Sequence, residues 1–170
     1  MNYTIRPAGP EDAAGITALR RMPGVFENTA ALPSERTARL QALLADLPQN
    51  QHFLVAVAPD GLVAGLAMLS VESNLRRRHS GGLGIMVRTD CQGQGIGTAL
   101  MKTVLELADN WLMLVRVELE VFADNARAIH LYEKFGFEKE ALLRMSVVRD
   151  GQYWDNYKMA RIRVPGEALT

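Results

Sequence analysis

The sequence predicts an α/β fold, in which a mixed β-sheet of roughly seven strands is flanked by about four helices. Three observations carry this reading. Between Gly82 and Gly136 the pattern runs strand, glycine-rich loop, helix, strand, helix. Hairpin patterns stand on both sides of that block, and no repeat or linker interrupts the hydrophobic pattern of the 170 residues. A strand-helix-strand unit of this length joins two parallel neighbours through a right-handed crossover, while hairpins add antiparallel ones. The length suits one domain with a substantial core, so a single domain over residues 1–170 is expected.

The elements follow in order. Tyr3 to Arg6 reads as a first strand, and Pro10-Glu11-Asp12 opens a helix to about Arg21, since proline and acids suit a first turn. Met22 to Pro33 carries two prolines and a glycine and should be irregular. Ser34 can cap a second helix with Leu40, Leu43, Leu44 and Leu47 as its stripe. Phe53–Val57 and Leu62–Val71 flank Pro59-Asp60-Gly61 as a hairpin. Gly82–Val87 is the next strand. A helix from Ile96 to Trp111 follows, with Leu100, Val104, Leu107 and Trp111 on its apolar face. Val115–Val121 alternates like a strand, and Asn125–Phe135 is helical and stops at Gly136. Leu142–Val148 and Tyr153–Ile162 flank Asp150-Gly151 as a last hairpin.

Composition narrows the function classes. Nineteen basic and nineteen acidic residues cancel, which gives no electrostatic reason to expect a nucleic-acid or membrane partner. The single cysteine, Cys91, cannot close an intramolecular disulfide. The N-terminus lacks the apolar run of a signal peptide, and no segment approaches the ~20 apolar residues of a membrane span. A cytoplasmic protein is the default expectation, with no metal.

The sharpest local feature is Gln92-Gly93-Gln94-Gly95-Ile96-Gly97-Thr98, between a strand and a helix. Alternate glycines allow torsions that let successive N–H groups converge on an anion, and the following helix adds its own N–H groups and positive dipole end. Such a loop should bind phosphate, a pyrophosphate among the candidates. It is not a P-loop, because Gly97 is followed by Thr98-Ala99 and no lysine. Its glycine spacing also departs from the dinucleotide fingerprint, although Glu118 and Glu120 stand where a ribose-binding acid would, so a nicotinamide site stays open. So does a plain turn that binds nothing.

Together these residues carry a family resemblance. Gln92 to Gly97 resembles the Q/R-x-x-G-x-G/A motif of GNAT acetyltransferases, Leu83–Val87 resembles the strand before it, and Asn125-Ala-Arg-Ala-Ile-His-Leu-Tyr132-Glu-Lys-Phe-Gly136-Phe137 resembles the later Asn…Tyr…Gly-Phe signature. The resemblance implies parallel fourth and fifth strands that splay apart, with acetyl-CoA as cosubstrate. It implies that pantetheine pairs with the main chain of Ile85, Met86 and Val87. Phosphates would then sit on Gln92, Gly93, Gln94, Gly95, Ile96, Gly97 and Thr98, with Asn125 and Tyr132 completing the cofactor site. It makes Tyr132 the residue that meets the departing sulfur. A tyrosine, at ~10 unperturbed, stays protonated at neutral pH and can serve as that acid. Read from spacing alone, Tyr132 is a core filler and Asn125 a helix cap.

The acceptor is an amine that must lose a proton. Glu72, His79, Glu118 and Glu120 are the candidate bases, and none is singled out; Cys91 has no neighbour that would activate it. Phe26, Glu27 and Asn28 lie where the family places acceptor-binding residues, with His79 a further candidate. This region, with Asp109-Asn-Trp111 and Asp150-Gly-Gln-Tyr153, looks similar to bacterial L-amino-acid N-acyltransferases acting on phenylalanine or methionine. Such a substrate needs a cation for its carboxylate, for which Arg77, Arg78, Arg144 and Arg149 are available. Acetylation of a protein N-terminus, a polyamine or a drug amine stays open, as do a non-catalytic acyl-CoA-binding module and a homodimeric assembly.

Overall fold

A computed structural model describes residues 2–163. Within them the elements are β1 (Thr4–Pro7), α1 (Ala13–Arg20), α2 (Thr37–Ala45), β2 (Gln51–Val57), β3 (Val63–Val71), β4 (Ser80–Val87), α3 (Ile96–Glu106), β5 (Arg116–Phe122), α4 (Ala126–Lys134), β6 (Glu138–Arg149) and β7 (Gln152–Ile162). The seven strands form one sheet of order β1-β2-β3-β4-β5-β7-β6. β4 and β5 are parallel, with Ser80, Gly81 and Gly82 opposite Arg116, Val117 and Glu118. The β1–β2, β5–β7 and β6–β7 pairs are antiparallel. The mixed sheet expected from the sequence is the one observed. No helix among the described residues is long and apolar enough to cross a membrane.

The fold divides into two compact units: residues up to Leu69 together with Gly84–Val104, and Ser70–Leu83 together with the chain from Leu105. In the first unit, Ile16 and Leu19 of α1, Leu40 and Leu44 of α2, and Phe53, Val55, Val63 and Leu66 of β2 and β3 form one buried cluster. The entry to α1 is fixed by Asp12, whose carboxylate accepts two hydrogen bonds from Arg6 (2.7 and 2.8 Å) and one from the Gly9 N–H (2.8 Å). The Arg6 bonds hold the Asp12 carboxyl below its usual range, against the effect of burial. Gly65 of β3 has no room for a side chain, because a Cβ there would lie 2.8 Å from Leu100 Cδ1 of α3 and 3.1 Å from the Met86 carbonyl oxygen. The glycine lets α3 settle onto the sheet.

Two sequence expectations are corrected. Ser34 does not cap α2, which starts at Thr37 with Arg36 as an N-cap in extended backbone. The chain before it is held elsewhere: Glu35 takes an ion pair from Arg20 (2.8 Å), and its carbonyl accepts from Arg21. The helix of Ile96 also does not run as one α-helix to Trp111. It widens into a π-helical turn over Leu107–Trp111, closed by the Leu112 N–H on the Leu107 carbonyl. The extra residue rotates the side chains that follow off the apolar stripe. Trp111 is left 76% exposed while Asp109 is buried.

That Asp109 organises the second unit. Its two carboxylate oxygens accept from Arg161 of β7 at 2.8 Å each, and Arg163 donates to its main-chain carbonyl at 3.2 Å. In the same unit, Val117, Leu119 and Val121 of β5, Met159 of β7, Ile129 and Tyr132 of α4, and Phe137 are buried. The last hairpin is longer than its alternation indicates, since β6 continues past two register shifts, between Lys139 and Ala141 and between Leu143 and Val147.

Removing one member of a buried, bidentate ion pair strands the other without a counter-charge. Asp109→Ala is expected to lower unfolding free energy by about 3–5 kcal/mol. Chemical denaturation checks this, and a loss no larger than that of an exposed substitution would show the pair to be dispensable.

Candidate active site

In the first unit, the end of β4 leads into the glycine-rich turn. Ile85, Met86 and Val87 are half-buried. Arg88 pairs with Asp90 (2.8 Å), and Cys91 is buried in the short 3-10 turn over Thr89–Cys91. Burial pushes the Cys91 thiol up from its ordinary value, the reverse of what a nucleophile needs. Gln92 then folds back, its side-chain amide donating to the Val87 carbonyl at 3.0 Å, and Gln94 donates to the Asp90 carbonyl at 3.3 Å.

Gly93 and Gly95 hold φ of 77° and 82°, in the left-handed region that favours glycine. Both are exposed, and a Cβ on either would meet nothing within 4 Å, so the turn is open above its backbone. Gly97 differs from the expectation of three turn-forming glycines, because it already lies in the first turn of α3. Ile96 at 1% exposure and Leu100 at 0% pin that helix start into the core. Left-handed turn residues followed by a helix N-terminus present main-chain N–H groups to an anion, with Thr98 in the first turn.

The segment after α1 lies beside this turn. Thr89 Oγ1 donates to Met22 Sδ at 3.4 Å, and a Cβ on Gly24 would come within 2.8 Å of Thr89 Cγ2. Phe26, Glu27 and Asn28 form a short 3-10 turn there. Glu27 accepts from the Gly24 N–H at 2.6 Å and Asn28 donates to the Gly24 carbonyl at 3.0 Å, so both carry bonds that close their own loop.

In the second unit, Asn125 stands outside α4 as its N-cap, its side-chain oxygen accepting from the Ala128 N–H at 3.1 Å. Gly136, at φ 81°, ends the helix, with the Phe137 N–H on the Tyr132 carbonyl at 3.1 Å. This turn brings the Phe137 ring to 5.9 Å from that of Tyr132. Tyr132 is 5% exposed, and burial pushes its phenol up to about 12. The phenol therefore keeps its proton across the neutral range and can donate a hydrogen bond there. His79 belongs to this unit too, in the exposed turn before β4, where its carbonyl accepts from the Val115 and Arg116 N–H groups at 2.9 and 3.1 Å.

The acidic candidates now separate. Glu72 pairs with Arg77 at 3.4 Å. Glu118 takes Arg116 at 2.8 Å and Lys158 at 3.1 Å; burial opposes its charge, but those bonds outweigh burial and hold its carboxyl below the usual range. Glu120 has a weaker neighbour, the side-chain amide of Asn156 at 3.5 Å. Among the arginines, Arg149 pairs with Asp124 and stacks on the rings of Trp154 (3.8 Å) and Phe122 (4.8 Å). Arg78 and Arg144 are exposed. Asn156, 8% exposed, is a buried polar residue between half-buried neighbours of β7, and nothing in the sequence singles it out.

The Acetyltransferase (GNAT) family pattern matches residues 20–137, across the glycine turn and the Asn125–Phe137 helix. The chain belongs to the GNAT acetyltransferase family. It is an N-acyltransferase. The acetyltransferase is 37% identical over 159 residues to the L-amino acid N-acetyltransferase AaaT of Escherichia coli (strain K12), covering 94% of this chain and 97% of that one. It is 30% identical over 174 residues to the spermidine N(1)-acetyltransferase of the same organism, with 97% and 92% covered. A GNAT acetyltransferase from Streptococcus pneumoniae superposes with a TM-score of 0.81 at 27% identity, over 95% of this chain and all 100% of that one.

The buried phenol has a measurable sign. Its pKa is raised on folding, so its contribution to stability is complete below the ordinary tyrosine value of ~10 and is lost as pH rises through the folded value. An ultraviolet titration of the native acetyltransferase is expected to show one tyrosine ionising near pH 12, absent from Tyr132→Phe. Ionisation of all tyrosines together near ~10 would contradict the burial.

Proposed function

We propose that this acetyltransferase moves the acetyl group of acetyl-CoA onto the α-amine of an L-amino acid such as phenylalanine or methionine. The observation that carries the reading is the likeness to the L-amino acid N-acetyltransferase AaaT, which extends over 94% of the chain at 37% identity. The whole 170-residue chain then works as a single acetyltransferase domain.

Acetyl-CoA, when bound, supplies the acetyl group as a thioester. Its pyrophosphate suits the turn of Gln92, Gly93, Gln94, Gly95, Ile96, Gly97 and Thr98, where open left-handed backbone meets a helix N-terminus. Ile85, Met86 and Val87 offer main-chain groups for pantetheine. Tyr132 keeps its proton at Oη across the neutral range and would donate a hydrogen bond, or the proton itself, to the leaving sulfur. Asn125 sets the start of the helix that carries Tyr132. Phe26 stays a candidate for acceptor contact; Glu27 and Asn28 would shape that loop rather than bind.

A second reading, acetylation of a polyamine, is favoured by the 30% identity to the spermidine enzyme. Thiol release separates the two. L-phenylalanine or L-methionine should be turned over with kcat/KM above that of spermidine, and their amides should be poorer acceptors because they lack the carboxylate. Faster turnover of spermidine would decide for the polyamine reading.

Two substitutions test the cofactor assignments. Gly95→Val forces a β-branched residue into left-handed backbone, costing ~1–2 kcal/mol locally, and should weaken acetyl-CoA binding at least tenfold while the protein stays folded. Calorimetry reads this, and unchanged affinity would remove the turn from the cofactor site. Tyr132→Phe keeps the ring and deletes the hydroxyl, so kcat should fall ~100-fold with acetyl-CoA affinity little changed. Wild-type kcat under conditions where chemistry limits the rate would show that Tyr132 is not the acid.

A further inference from the structure

One face of the β5–β7 ladder carries a charge imbalance. Residues directly opposite in an antiparallel pair share a face, which places Arg116, Glu118, Glu120 and Phe122 of β5 with Asn156 and Lys158 of β7. Arg116 binds both Glu118 (2.8 Å) and Glu140 (2.5 Å). Lys158 stands opposite Glu120 in the register, yet its ammonium goes to Glu118 at 3.1 Å. Two cations therefore serve Glu118 and Glu140, and the third carboxylate, Glu120, has no ion pair among the described residues. It is exposed.

Next to it lies an unsatisfied amide. Asn156 is more than nine-tenths buried, its Nδ2 reaches Glu120 Oε2 only at 3.5 Å, and its Oδ1 has no hydrogen-bond partner among the described residues. A buried acceptor without a donor carries an unrecovered desolvation penalty. Phe122 on one side and Leu143 of β6 on the other are its cross-strand neighbours, with Trp154 two residues along β7. A carboxylate lacking a cation partner and an amide oxygen lacking a donor, beside Leu143 and the Phe122 and Trp154 rings on which Arg149 stacks, offer acceptors to an ammonium group.

We infer that Glu120 and Asn156 form the seat of the acceptor amine and that Glu120 takes its proton. The amide of Asn156 turns about Cβ–Cγ, a torsion with a broad two-fold profile, so that Oδ1 and the Glu120 carboxylate both accept from the ammonium. One N–H bond of the ammonium breaks, the proton passes to a Glu120 oxygen, and the electron pair stays on nitrogen as the nucleophile. Leu143, half-buried, and the face of the Trp154 ring away from Arg149 then pack against an apolar amino-acid side chain. Glu118 cannot replace Glu120, because its two cation partners keep it charged and occupied.

This seat rests on the amino-acid reading above, and the experiment separates the two. Thiol release by the wild-type protein comes first. Turnover of spermidine without turnover of any amino acid would overturn the amino-acid reading and the seat with it, before any variant is made. With amino-acid turnover present, Glu120→Gln and Asn156→Ala are compared with wild type for L-phenylalanine binding by calorimetry in saturating CoA, and for kcat. Glu120→Gln should raise the L-phenylalanine Kd ~10-fold and lower kcat ~100-fold, with acetyl-CoA affinity and melting temperature unchanged. Asn156→Ala should raise the same Kd ~10-fold with a smaller effect on kcat. A wild-type L-phenylalanine Kd in Glu120→Gln overturns the seat, and a raised Kd with wild-type kcat overturns the proton transfer. Should Asn156→Ala fail to fold, the exposed, isosteric Glu120→Gln decides alone.

Discussion

The second unit depends on the strict alternation of β5. Val117, Leu119 and Val121 point into the core, and Arg116, Glu118 and Glu120 point to the other face, along seven consecutive pairs with β7. A slip of one residue would exchange the two sets and bury three charged side chains. Register is thereby enforced by burial on one side and by ion pairs on the other. Everything carried by β7, from Asn156 through Lys158 to Arg161, takes its face from this ladder. Arg161, facing inward, is tolerable only because the π-turn after α3 delivers Asp109 to it with both oxygens engaged.

In the first unit the comparable constraint is the seating of α3. Gly65 removes the side chain that would hold the helix off the sheet, and Ile96 and Leu100 fill the space so gained. A helix start seated in this way fixes where the turn before it ends. Gly93 and Gly95 take the left-handed torsions, while Gln92 and Gln94 tie the turn back to the end of β4 and to Asp90. The open face of that turn is backbone, which suits a ligand recognised by its charge.

Pairing within the protein decides which polar residues are available for chemistry. Glu72, Glu118, Arg77 and Arg149 all have charged partners, and Glu27 and Asn28 close their own loop. Cys91, although next to the glycine turn, is buried with its thiol pushed up. Tyr132 is buried as well, and desolvation keeps its phenol neutral while making it a weaker acid. The same desolvation thus holds both groups in their neutral forms.

What the sequence determined by itself was whatever depends on neighbours along the chain. The strand and helix order, the hairpin at Pro59-Asp60-Gly61, the Asn125 cap, the Gly136 stop and the glycine turn are all set by local torsions and by hydrophobic period. Even the family was legible there, because its motifs lie in two contiguous stretches. The tertiary structure decided the rest. Ser34 has capping chemistry, but Arg20 and Arg21 hold Glu35 elsewhere; Trp111 continues an apolar stripe, but the π-turn carries it out to solvent. Glu118 and Glu120 are two equivalent positions in an alternating strand. They are told apart by Lys158 and Asn156, which stand 40 and 36 residues away in the chain and reach them only through the β5–β7 register. Local propensity sets backbone shape, but a charge finds its partner through space, and that pairing separates a structural carboxylate from one with its charge still unmatched.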